Sequence, residues 1–231
     1  MIGVVIPTLN EAETLPALLD DLRRVPVALD VVIADGDSTD GTRACAAAAG
    51  GGARVVSAPR GRARQLNAGA REAQGDWLLF LHADSRLPAA ARRALLAAVV
   101  DDPEFQAAVF HFSIDLPTGW KRFVEWGQRV REALSGLSYG DQGLLLRREL
   151  FQLVGGFPDI PVMEDVAMIR RLRRRVRVVP LEAAIRTSGR RYRRNGVLRT
   201  WLEHSLLLSL YLAGVSPQRL ARWRRAERST G

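Results

Sequence analysis

Short apolar runs that alternate with helical patterns constrain this chain more than any other feature. Ile2–Ile6 runs into Pro7-Thr8-Leu9-Asn10, and Val31–Ala34 into Asp35-Gly36-Asp37-Ser38. Arg54–Ser57 is a shorter run, and Trp77–Leu81 leads into His82-Ala83-Asp84. Between them, Leu15, Leu18, Leu19 and Leu22 recur at helical spacing. An alanine-rich segment stops at Gly50-Gly51-Gly52, and residues 62–74 read as a helix closed by Gly75. Strands alternating with helices imply right-handed crossovers and a mainly parallel sheet. Asn10, followed three residues later by Glu13, reads as a capping box in its Asn variant.

The second half is less regular. Val109–Ile114 alternates like a strand, and a Trp/Arg-rich helix covers about 119–134. Tyr139-Gly140-Asp141-Gln142 precedes a strand over Gly143–Leu146, and Gly155-Gly156-Phe157-Pro158 reads as a turn. Glu164-Asp165 opens a helix that ends in arginines, the charge order a helix dipole favours. Val176–Pro180 reads as the last strand, and about 196–226 as helix. The predicted architecture is α/β, a mixed, mainly parallel sheet flanked by helices. Residues 1–195 form the main domain and 196–231 a C-terminal helical extension.

In an open parallel sheet, ligands bind beyond the carboxyl ends of the strands. The residues delivered there are Pro7, Thr8, Asn10 and Glu11, then Asp35 and Asp37, then His82, Asp84 and Arg86. The loop and helix after the third strand add Arg60, Arg62, Arg64, Gln65 and Asn67. Arginines suit an anionic ligand, and carboxylates suit a hard divalent cation bridging to phosphates. Neither a Gly-x-Gly-x-x-Gly turn nor a Gly-Lys-Ser/Thr loop is present, which argues against dehydrogenase and ATPase chemistry.

Plainer roles stand beside these. Asp35 and Asp37 fit an ordinary turn, and Glu164-Asp165 fits a helix start. His111 and His204 read as strand and helix residues without chemistry, and Arg170–Arg177 as a solvated helix end. Trp120 and Trp126 read as core by default.

The charge balance is +9, and Lys121 is the only lysine. Such a chain can meet nucleic acid, an anionic membrane or a phosphorylated small molecule. Cys45 is the only cysteine, which excludes an intrachain disulfide and a cysteine-based zinc site. The N-terminal MIGVVIPTLNEAE has no basic leader, and SLLLSLYLAGVSPQ falls short of the about 20 apolar residues of a bilayer span. The expected location is cytoplasmic, with the Leu-rich C-terminal helix available for peripheral membrane contact. Glu203 and His204 interrupt its apolar face and favour core packing instead.

Four stretches in order, VVIPTLNEAETLPALL, VVIADGDSTDGT, RQLNAGAREAQGDWLLFLHADSRLP and GGFPDIPVMEDVAMIRRLRR, resemble the family 2 glycosyltransferases of GT-A, Rossmann-like fold. The resemblance covers about residues 2–190. GRARQLNAGA, LHADSRLP, YGDQG and TSGRRYRRNG further resemble the subgroup labelled arsenosugar-biosynthesis or radical-SAM/selenodomain-associated transferases. The resemblance implies inverting transfer from a nucleotide-diphospho sugar to an unspecified acceptor, with Mg2+ or Mn2+ and without nucleic acid. It places Asp84 on the metal or the ribose-diphosphate, and His82 where relatives keep a first aspartate. Gly36 replaces the second of two adjacent aspartates, leaving base contact to Asp35 or Asp37. Pro7, Thr8, Asn10, Glu11, Arg64 and Asn67 complete the donor side. Asp165 is the implied general base, Gln142 and Glu164 lie toward the acceptor with Tyr139, and Arg190 and Arg191 hold phosphate. The rival expectations are a sugar-phosphate nucleotidyltransferase and a non-enzymatic basic module that binds membrane or nucleic acid. The PTLNEAE turn lacks the glycine-rich phosphate loop that the first rival needs.

Overall fold

The computed structural model of the chain describes residues 1–100, 105–135 and 142–229. Tyr139, Gly140 and Asp141 of the expected acceptor motif lie outside the described residues. The first half follows the alternation: β1 Ile2–Thr8, α1 Leu15–Arg23, β2 Leu29–Asp35, α2 Thr42–Ala48, β3 Arg54–Ser57, α3 Arg62–Glu72 and β4 Trp77–Phe80. A two-residue strand, β5 Ser85–Arg86, and α4 Ala89–Val100 follow. The second half contains β6 Ala107–Asp115, α5 Thr118–Ser135, β7 Leu144–Arg147, α6 Arg148–Leu153, α7 Glu164–Arg173 and β8 Val179–Ser188. Three helices finish the chain, α8 Arg190–Asn195, α9 Val197–Leu212 and α10 Pro217–Ser229.

The strands form one eight-stranded sheet in the order β3-β2-β1-β4-β7-β6-β8-β5. β3, β2, β1 and β4 run parallel. β7 is antiparallel to both β4 and β6, β8 is parallel to β6, and β5 is antiparallel to β8. The carboxyl ends of β1, β2 and β4 therefore open on one rim, as the mainly parallel pattern requires.

Strand alternation divides the core into two layers. Ile2, Val4 and Ile6 of β1 pack with Leu15, Leu18 and Leu22 of α1 on one face, while Val5 packs with Leu66 of α3 on the other. Each fully buried aliphatic side chain contributes about 1.5–3 kcal/mol. Val162 joins Leu207 of α9 with Leu220 and Ala221 of α10, which docks the C-terminal helices beside the rim.

Three expectations are corrected. Asn10 and Glu13 do not cap α1, which starts at Leu15 behind Thr14. Asn10 has a left-handed backbone (φ 58), and its Oδ1 accepts the Thr39 N–H at 2.9 Å, so it stitches two rim loops together. The last strand runs to Ser188 rather than ending at Pro180, because the alternation Leu181, Ala183, Ile185 continues the buried face. Trp120 and Trp126 are not core: they are 43% and 57% exposed on α5.

Candidate functional site

The rim opens into a cleft of about 730 Å³. β1 supplies Pro7 and Thr8, the turn after it Glu11, and the segment after β4 supplies His82 and Asp84. α3 and α7 add Arg62, Glu164 and Asp165. The far wall is made by α5, α8, α9 and α10 through Arg131, Arg191, His204 and Arg224.

The loop after β2 is a hydrogen-bonded frame. Asp35 is fully buried and accepts bonds from Thr8 Oγ1 (3.1 Å), Ser38 Oγ (2.5 Å), Ser38 N (3.2 Å) and Arg43 Nη1 (3.2 Å). Burial pushes its pKa up, but these donors outweigh burial and hold the carboxyl below its ordinary value. Asp37 points outward, with a left-handed backbone (φ 69), and pairs with Arg60 at 3.4 Å. The glycine between them has a steric cause: a Cβ at Gly36 would lie 2.9 Å from Gln65 Nε2. Gln65 uses that nitrogen to donate to the Thr8 and Ala34 carbonyls at 2.7 and 2.9 Å. Neither Asp35 nor Asp37 lines the cleft, and neither does Asn10.

α3 then sends its polar side chains to the segment before α7. Arg62 Nε lies 3.0 Å from Glu164 Oε1. Arg64 instead turns away from the cleft, placing Nε 2.9 Å from both Asp159 oxygens. Asn67 clamps the Phe157 backbone, donating to its carbonyl at 2.8 Å and accepting its N–H at 2.9 Å. Arg62 therefore takes the cleft position that the sequence reading gave to Arg64, and Asn67 is a packing clamp.

At the end of β4, burial, reinforced by the Arg62 charge, pushes the His82 pKa well below its ordinary value, so the ring is neutral. Asp84 faces the same cleft. Burial above all, and then the Glu11 carboxylate, raise its pKa, against the pull of Arg190 and Arg62. Among the described residues, no other residue donates a hydrogen bond to the Asp84 carboxyl. Arg86 is directed elsewhere, forking onto Asp21 at 2.6 and 3.0 Å.

Met163 holds a left-handed backbone (φ 66), strained for a residue with a side chain, directly before α7. That turn brings Glu164 and Asp165 to the cleft together. Burial is the main cause that raises the Glu164 pKa; Arg62 opposes the rise and Asp165 adds to it. Asp165 Oδ1 accepts its neighbour's N–H, from Val166, at 2.7 Å. Gln142 is buried and donates to Glu132, away from the cleft lining.

Arg190 and Arg191 diverge. Arg190 reaches back to Glu11 at 3.1 Å and Glu13 at 3.4 Å. Arg191 Nη1 lies 3.2 Å from His204 Nε2, deep in the far wall. Sequence reasoning missed His204, Arg131 and Arg224, which sit on Arg- and Leu-rich helices where no spacing distinguishes a cleft residue from a solvated one.

A divalent ion suits this rim. No group of three or more His, Cys, Asp or Glu side chains is placed to hold a metal among the described residues. The Asp84 carboxyl nevertheless faces the cleft without a donor from another of the described residues. Mg2+-type ions commonly take one or two carboxylates and complete their shell with substrate phosphate and water.

Similarity to known proteins agrees with this layout. The family model described as Glycosyl transferase family 2 matches residues 3–153. The chain is 33% identical over 165 residues to a PGL/p-HBAD biosynthesis glycosyltransferase of Mycobacterium bovis (strain BCG / Pasteur 1173P2), a match covering 68% of this chain. It spans 63% of that relative's length. A solved mannosyltransferase, PcManGT from Pyrobaculum calidifontis in complex with GDP-Man and Mn2+, superposes with TM-score 0.62 at 25% identity, over 81% of this chain and 56% of that one. Glucosyl-3-phosphoglycerate synthase from Mycobacterium tuberculosis shares the fold, with TM-score 0.59 at 22% identity over 89% and 78% of the two chains. The mainly parallel sheet is thus the GT-A sheet of these structures, and the rim with His82 and Asp84 lies inside the matched segment. The chain belongs to glycosyl transferase family 2.

Proposed function

We propose that the protein transfers a sugar from a nucleotide-diphospho sugar to an acceptor hydroxyl with inversion at the anomeric carbon. The observation that carries this reading is that Asp84, after β4, and Asp165, at the start of α7, open into one cleft with Arg62 beside them. The matching mannosyltransferase with GDP-Man and Mn2+ supports the donor class.

Asp165 accepts the proton of the acceptor hydroxyl as its oxygen attacks the anomeric carbon. The bond from that carbon to the diphosphate breaks on the opposite face, and the leaving oxygens gain charge. Arg62 and Arg190, the cations that act on Asp84, stabilise that charge. Asp84 would hold a divalent Mg2+ or Mn2+ ion against the diphosphate, and such an ion supplies Lewis-acid stabilisation of the leaving group. His82 stays neutral and adds no charge where relatives carry an aspartate. Pro7, Thr8 and Glu11 line the donor side, and Glu164 the acceptor side. The narrower arsenosugar-type assignment rests on the sequence motifs alone.

Calorimetric titration with UDP and GDP, with and without Mn2+, tests the reading. A metal-dependent affinity that Asp84→Ala removes is the expected result. Binding of neither nucleotide under any metal condition overturns it.

Peripheral membrane contact is a second reading, favoured by one observation. Leu198, Leu202 and Leu206 stand exposed at four-residue spacing on α9, although no helix among the described residues is long and apolar enough to cross a membrane. Co-sedimentation with anionic vesicles checks it, and Leu202→Gln together with Leu206→Gln is expected to abolish binding.

A further inference from the structure

One guanidinium ties the start of α8 to the turn after β1. Arg190 donates from Nη2 to Glu11 Oε2 at 3.1 Å and from Nη1 to Glu13 Oε2 at 3.4 Å. Both ends of its fork are thus taken by carboxylates of a single turn. Glu11 and Asp84 line the cleft, and Arg190 does not. The Arg190 charge still reaches Asp84, where it opposes that of Glu11. Arg190 is therefore held at the edge of the cleft without forming part of its lining.

The backbones on both sides of this link are anchored. The Glu11 N–H donates to Thr42 Oγ1 at 2.8 Å and the Ala12 N–H to Asp40 Oδ2 at 3.1 Å. Thr14 Oγ1 donates to Glu11 Oε2 at 2.7 Å and fixes that carboxylate. On the α8 side, Arg193 Nη1 donates to the Asp115 carbonyl at 2.7 Å. A Cβ at Gly189 would lie 2.1 Å from the same oxygen, so the start of α8 sits hard against the end of β6. What is left to move is the Arg190 side chain, which is 46% exposed. Its partner Glu13 is 82% exposed, and ion pairs in such a setting hold weakly. A diphosphate carries more charge than either carboxylate and matches a guanidinium fork in the same paired way.

We infer that Glu11 and Glu13 are positioning residues for Arg190. They hold its guanidinium at the cleft edge in the free protein, yield it to a donor diphosphate bound beside Asp84, and take it back after transfer. Recapture of the arginine eases release of the nucleoside diphosphate. This inference rests on the transferase reading, in which Arg190 serves the leaving diphosphate.

Glu13 can act on a bound nucleotide in two ways. Its charge repels any anion in the cleft, and its grip competes for Arg190; only the second needs Arg190. A double-mutant cycle separates them. The full chain is titrated with UDP and with GDP in the presence of Mn2+ at constant ionic strength, and calorimetry gives the affinity. Glu13→Gln should tighten nucleotide binding roughly threefold, the scale of one exposed ion pair. Arg190→Gln should weaken it about tenfold, the scale of one charge-assisted contact. In the Arg190→Gln background, Glu13→Gln should change nothing. Stopped-flow dissociation of the nucleotide should slow in Glu13→Gln by the same factor of roughly three. Affinity unchanged in Glu13→Gln, affinity indifferent to Arg190→Gln, or a gain that persists without Arg190 overturns the inference and leaves the donor reading standing. Binding of neither nucleotide removes the donor reading and this inference with it.

Discussion

Arg62 Nε and Glu164 Oε1 sit 3.0 Å apart, joining the first residue of α3 to the first residue of α7. The carboxylate is nearly inaccessible, while the arginine is partly open to the cleft. Arg62→Gln leaves a buried carboxylate without its cation. A loss of about 1–2 kcal/mol at pH 7, allowing for solvent screening, is expected in urea unfolding. An unchanged midpoint would show that the pair contributes nothing.

Glu164 also sets a pH dependence. Its folded pKa is raised above the ordinary 4.5, with burial as the main cause. The native state therefore holds that proton to higher pH than the unfolded chain does. Glu164 withdraws stability as pH climbs from about 4.5 through the raised folded value. Glu164→Gln abolishes that loss, so its stability relative to wild type should improve across this window. Parallel stability curves for the two proteins would refute the assignment.

Asp165→Asn keeps the shape of the side chain and removes its basicity. Transfer should fall by about 100- to 10,000-fold, the range for a lost general base, while nucleotide affinity stays as in wild type. Single-turnover kinetics alongside a binding isotherm separates the two effects. Turnover within a few-fold of wild type would remove Asp165 from the reaction.

Asp21 shows the opposite linkage. Burial raises its pKa, but the Arg86 fork, the Leu87 N–H and the charges of Arg86 and Arg92 outweigh burial and leave it below 3.8. Its contribution is complete above that value and disappears as pH falls through the lower folded value. Asp21→Asn should cost about 2 kcal/mol at neutral pH, and the gap to wild type should close in strong acid. Guanidinium titrations at both extremes check this, and a gap independent of pH contradicts it.

Gly69 lies where α3 crosses β1, and a Cβ there would stand 2.4 Å from Val5 Cγ1. Gly69→Ala gains about 1 kcal/mol of helix propensity and loses about 1–3 kcal/mol to overpacking. A net fall in Tm is expected, partly recovered by adding Val5→Ala, since touching residues couple. A stabilised single variant would show that the interface yields freely.

The parallel half of the sheet was legible because each apolar run is short, bounded, and ends in polar residues. β8 was legible in principle, since Leu181, Ala183 and Ile185 alternate, but the arginines that follow masked its length. The choice between Arg62 and Arg64 was not legible, because both open α3 and only the packed helix orientation tells which one enters the cleft. Asn10 misled for a related reason: Asn tolerates a left-handed backbone, and here a neighbouring loop claimed its side chain before the helix could. His204 gave no signal at all. Its place in the far wall beside Arg191 of another helix is a relationship that exists only in three dimensions.

α3 ties the sheet side of the site to the segment before α7. Gln65 holds β1 and β2 by their carbonyls, Arg62 and Arg64 hold Glu164 and Asp159, and Asn67 holds Phe157. A chimera that exchanges the second half of this chain for that of a relative severs the Arg62, Arg64 and Asn67 links unless α3 travels with the incoming half. Recombination points after Glu72 should yield misaligned sites, whereas points before Gly61 move the helix and the turn it grips as one piece.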